Sequence, residues 1–75
     1  MKDIRLCSHT IETVDDGNLA RVYHHNGFRC WLSEVVNNYP HATVYKYTLQ
    51  YPNGYCQSMD LADVNKVVFG NVQGI

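Results

Sequence analysis

The sequence predicts an α+β domain: a four-stranded antiparallel sheet made of two hairpins, with one or two short helices on one face, in the order ββαββα. Three observations carry this. Asn26-Gly27 and Asn53-Gly54 are pairs that tolerate the positive φ of tight hairpin turns. Each is followed by a similar tetrad, Leu32-Ser33-Glu34-Val35 and Leu61-Ala62-Asp63-Val64, so the chain reads as one hairpin-and-helix unit written twice. Finally, Phe28, Trp31, Leu32, Val35, Val36 and Tyr39 fall at the i, i+3, i+4, i+7 spacing of an amphipathic helix.

The elements follow in chain order. Thr10-Ile11-Glu12-Thr13-Val14 is rich in β-branched residues and runs into the turn cluster Asp15-Asp16-Gly17-Asn18, which opens a hairpin. Its second arm is Leu19 to His25. The first helix then occupies the stripe from Phe28 and stops at Asn37-Asn38 and Pro40, because proline cannot donate to a continuing helix. A rival reading keeps Phe28, Cys30 and Leu32 in a strand paired across Asn26-Gly27 and leaves only Ser33 to Tyr39 helical.

Thr43, Tyr45, Tyr47, Leu49 and Tyr51 alternate with Val44, Lys46, Thr48 and Gln50, giving a long strand with one aromatic face. Pro52-Asn53-Gly54 turns the chain, and Tyr55 to Met59 returns beside it. Asp60 then caps a second helix that buries Leu61, Val64, Val67 and Val68 and ends before Gly70. An alternative fold, a small SH3-like or Sm-like β-barrel, makes Lys66 to Phe69 a closing strand. The tail from Asn71 to Ile75 is expected to fray.

Length and composition narrow the function classes. A chain of 75 residues has room for a single domain spanning 1–75, which buries about 60% of the surface its unfolded form exposes. An apolar fraction of 45% supports a packed core and argues against intrinsic disorder. Six basic and seven acidic residues leave a charge of -1, too little to favour nucleic acid or an anionic membrane. No secretory leader is expected from the N-terminal residues, and neither an apolar run long enough to span a membrane nor an Asn-x-Ser/Thr acceptor occurs among these residues. The odd cysteine count, Cys7, Cys30 and Cys56, fits a reducing compartment, and a cytoplasmic location is expected.

Chemistry-bearing constellations are sparse. Cys7, His9, His24, His25, Cys30, His41 and Cys56 could in principle ligate a metal, but none has the close paired spacing of a structural zinc site. A metal-binding module is therefore the third reading, and no cofactor is expected. Ser8 and His9 adjoin, yet neighbours on a strand point apart, and nothing evident activates Cys30 or Cys56 as a thiolate. An enzyme is not expected.

Protein binding remains. Tyr23, His24, His25 and Arg29 surround the first Asn-Gly turn, and Tyr51 and Tyr55 flank the second; these residue types anchor interfaces. The expected function is that of a small regulator or inhibitor occluding a functional site on a larger protein, of the kind encoded by phages or mobile elements, the last by analogy of size. The alternative is the small barrel binding RNA or a nucleic-acid-handling protein, with Tyr45, Tyr47 and Tyr51 stacking bases. Against it, those tyrosines are the best available core face for the helices, and the basic residues are scattered.

Overall fold

Asp3 opens the described chain with a local cap: its carboxylate accepts from the Arg5 amide at 2.8 Å and starts a 3-10 turn over Ile4–Leu6. The computed structural model describes residues 2–15, 17–37, 40 and 42–70. After that turn come five strands, β1 (His9–Val14), β2 (Asn18–His25), β3 (Phe28–Val36), β4 (Val44–Gln50) and β5 (Cys56–Met59), and one helix, α1 (Leu61–Phe69). The strands form a single antiparallel sheet in sequence order, β1-β2-β3-β4-β5. Short reversing connections permit only that meander between neighbours.

The hairpins are made as the turn residues dictate. Asn26 and Gly27 have φ of +49° and +84°, and His25 pairs directly with Phe28; two consecutive positive φ values define the two-residue turn whose twist matches paired strands. Pro52-Asn53-Gly54 forms a three-residue loop in which the Gly54 amide donates to the Tyr51 carbonyl at 2.8 Å, with Gly54 at φ +95°. At the first hairpin Val14 pairs with Asn18 across residues 15–17.

Four strands become five, and two helices become one. The segment predicted as the first helix is β3, paired with β4 from Arg29 opposite Gln50 to Val36 opposite Val44. The rival strand reading holds through Leu32, and the strand then continues where that reading turned helical. Two features made the stripe look helical. The strand is buried on both faces in its first half, Cys30 on one side and Trp31 on the other, so apolar residues lose the simple period of two there. The register also slips between Leu32 and Glu34. That bulge at Ser33 turns Val35 to the same face as Leu32, an i, i+3 relation produced by an extra residue rather than by a helical turn. Tyr39, the last residue of the stripe, lies outside the described residues.

The repeat fails for the same reason. Leu32-Ser33-Glu34-Val35 lies in a strand, Leu61-Ala62-Asp63-Val64 in a helix. Asp60 precedes the second tetrad, and its carboxylate accepts from the Asp63 amide at 2.9 Å; Trp31 precedes the first and offers no such cap. The barrel alternative is overturned too. Val64 to Phe69 is helical, and β1 and β5 stand at opposite ends of the sheet order.

Each face of the sheet has its own core. On one, α1 and the 3-10 turn cover Cys30, Tyr47, Leu49 and Met59 with Ile4, Val64 and Val68. The Asn65 side chain accepts from the Ile4 amide at 2.8 Å and ties the N-terminal turn to the helix. The other face carries a smaller cluster of Val14, Val22 and Trp31, with Ala20 against it. The tip of the first hairpin closes that cluster, since the Trp31 indole N–H donates to the Asp15 carboxylate at 3.2 Å. No helix of the described residues is long and apolar enough to cross a membrane. The tail Asn71 to Ile75 lies outside the described residues.

Candidate binding cleft

The β2–β3 ladder is short. Among the described residues it runs only from Tyr23 opposite Cys30 to His25 opposite Phe28, although β2 continues back to Asn18 and β3 on to Val36. Beyond those pairs β2 is laddered only to β1 and β3 only to β4. The two hairpins diverge, and a cleft of about 380 Å³ opens between them, lined by Leu19, Ala20, Arg21, Tyr23, Leu32 and Tyr47. Its walls are two strand edges, which present backbone donors and acceptors that a neighbouring extended chain can pair with.

The cleft lies on the half of the helix-bearing face that α1 leaves open. Leu19 is 72% exposed and Ile11 62%, and Leu32, Val35 and Tyr45 are exposed as well. Cross-strand neighbours point to the same side, so Ile11 stands beside Arg21 and Val35 beside Tyr45 on this face. The bulge at Ser33, where the hydroxyl donates to the Lys46 carbonyl at 3.1 Å, is what adds Val35 to the patch. Four strands thus contribute exposed apolar residues to this face, and Leu19 and Leu32 both line the cleft.

The six residues singled out in the sequence divide among four places, although His24, His25 and Arg29 also line one open cavity of about 330 Å³ beside the first Asn-Gly turn. Tyr23 lines the cleft. His24 and Arg29 occupy the opposite face, in a polar network centred on Glu12: Arg29 and Thr10 donate to its carboxylate, His24 Nε2 lies 3.0 Å from it, and Arg29 also donates to Gln50. The Thr10 hydrogen bond, then that of Arg29, holds the Glu12 carboxyl down at about 2. Arg29 further stacks over Trp31, 5.4 Å from its centroid.

This network is not a nucleophile-base-acid relay. Thr10 and Glu12 both approach the same ring nitrogen of His24, whereas a relay needs the two different nitrogens.

His25 faces the helix side, its ring 4.7 Å from that of Phe69. Tyr51 and Tyr55 lie at the turn end. There the two Asn-Gly turns come together, with a Cβ on Gly27 falling 3.2 Å from Pro52 Cγ. Phe28, Tyr51 and Tyr55 form a chain of rings at 5.5 and 5.6 Å. The tyrosine face of β4 is split in its turn: Tyr47 and Leu49 are core, Tyr51 is half-buried, and Tyr45 is exposed.

Among the described residues, no three of His, Cys, Asp and Glu converge as metal ligands do; His41 lies outside them. What the sequence reasoning missed is a pairing of Cys7 with His25, whose Sγ and Nδ1 are 3.7 Å apart. The hairpin register held the signal: His9 opposite Tyr23, continued two residues outward, sets 7 against 25. The cleft left no such signal, because a ladder that stops early has no signature in strand propensity.

Fold and cleft define an open antiparallel meander with a helix on one face and a split between its hairpins. No known family, curated protein or solved structure matches the chain.

Proposed function

We propose that this chain is a non-enzymatic protein-binding module that receives an extended segment of a larger protein in the cleft between β2 and β3. The observation that carries the reading is the early end of the β2–β3 ladder beside exposed Leu19 and Leu32. Strand addition takes its affinity from main-chain hydrogen bonds and its selectivity from pockets for alternate side chains. The cleft offers both, with apolar lining positions at Leu19 and Leu32 and an exposed arginine at Arg21. A segment that alternates apolar residues and carries an acidic one fits that lining. Its titratable residues, Arg21, Tyr23 and Tyr47, include no paired nucleophile and base, which favours binding over catalysis. Regulation follows by occlusion, since an interface of about 800 Å² per partner covers whatever site the bound segment belongs to.

The test is selection of peptides from a random display library on the purified protein, followed by amide exchange of the complex. Alternating apolar peptides should be enriched and should protect amides of 18–22 and 31–36. Leu32→Asp and Leu19→Asp, both at exposed positions, should abolish binding without loss of the circular dichroism spectrum. Binding that survives both substitutions, with protection confined to other strands, would refute the cleft as the site.

A further inference from the structure

At the end of the sheet beneath the helix, the first hairpin's register brings a thiol and an imidazole together: Cys7 Sγ lies 3.7 Å from His25 Nδ1. The ring is held from two sides. Phe69 packs against it at 4.7 Å between centroids, and the Asn26 amide sits 3.2 Å from Nε2. An amide serves either imidazole tautomer, because turning it end for end exchanges donor and acceptor. With its oxygen toward Nε2–H, the Nδ1 lone pair faces the thiol. Beside Cys7 opens a pocket of about 190 Å³, lined also by Lys2, Asp3, Leu6 and Phe69. Cys7 is half-buried there, so a small molecule reaches the sulfur while the ring stays supported.

The other two cysteines lack this arrangement. Cys30 is fully buried, and burial pushes its thiol up to about 12. Cys56 is exposed, but its sulfur points at the Gly54 carbonyl, 3.8 Å away, a group that cannot accept a proton outright. We infer that Cys7 is the reactive thiol of this chain, a modification site for small soft electrophiles, with His25 taking the thiol proton. In the step, the sulfur attacks the carbon that bears a leaving group. The S–C bond forms as the bond to the leaving group breaks, the leaving group departs as an anion, and the S–H proton passes to His25 Nδ1. No oxidant or reductant is required.

Iodoacetamide tests this, with the alkylation rate of each cysteine read by peptide mass spectrometry at neutral pH. Cys7 should react at least about tenfold faster than the more exposed Cys56, well inside the roughly hundredfold or more that a positioned base contributes, and denaturant should bring the ratio close to one. His25→Asn should lower Cys7 to the rate of Cys56, with Cys56 unchanged and Cys30 still protected as a reporter of the native fold. A native Cys56 as fast as Cys7 would overturn the inference. So would a His25→Asn protein in which Cys30 stays protected and Cys7 keeps its rate. If that variant exposes Cys30, the native-to-denatured ratio in the unmodified sequence decides alone.

Discussion

Glu12 has the most perturbed environment of the acidic residues described, and its effect on stability has a definite sign. Its carboxyl titrates at about 2 in the fold against 4.5 for the free group. The native state therefore binds fewer protons, and the contribution is complete above the unfolded value and lost as pH falls toward the folded one. The melting temperatures of the parent and Glu12→Gln proteins should differ most at neutral pH and converge in strong acid; a difference that does not vary with pH would contradict this. Trp31 is buried on the opposite face from the helix, with its indole N–H satisfied by Asp15. Trp31→Ala should cost about 3 to 5 kcal/mol in urea unfolding. A loss below about 1 kcal/mol would mean that the small second core contributes little. Gly27 and Gly54 both have positive φ, but only at Gly27 would a Cβ meet a neighbour, Pro52. Gly27→Val should therefore destabilise more than Gly54→Val, since it adds a clash to the same backbone strain.

At the scale of elements, capping separates two similar tetrads. Asp60→Ala removes the side chain that receives the Asp63 amide and should cost about 1 kcal/mol, with loss of helical signal at 222 nm as the check. The helix matters beyond its own length because Asn65 holds the buried Ile4 amide. Fraying α1 should loosen the N-terminal turn with it, visible as faster amide exchange at Ile4. β3 shows the converse case: seven residue pairs with β4 outweigh a stripe that is helical in spacing, because each ladder pair satisfies backbone groups and buries side chains together.

For the whole molecule, the division of the sheet into two diverging hairpins is the consequential feature. Asp15, at the tip of the β1–β2 hairpin, accepts from Trp31 on one face, while Leu19 and Leu32 are exposed on the other. Breaking the Asp15 contact with Asp15→Ala should change cleft binding as well as stability, measurable as altered affinity for a selected peptide. Unchanged affinity would show that the divergence is set by the strands alone.

Local chemistry was legible in the residues. The turns at Asn26-Gly27 and Pro52-Asn53-Gly54, the first hairpin, the alternation of β4, its return through β5 and the capped helix after Asp60 all stand where sequence places them, because each depends on φ preference, period or a cap within a few residues. Of the cleft lining, the sequence points to Tyr23 as an interface residue and to Tyr47 as a base-stacking one; the other five interface residues chosen for their type lie on the far face, under the helix or at the turn end. Tertiary structure decided that the stripe from Phe28 is a strand, that its bulge adds Val35 to an open apolar face, that the β2–β3 ladder ends at Tyr23, and that Cys7 meets His25. These depend on which strand edge finds which partner, and pairing energy between residues far apart in the chain is not written in the period of either segment.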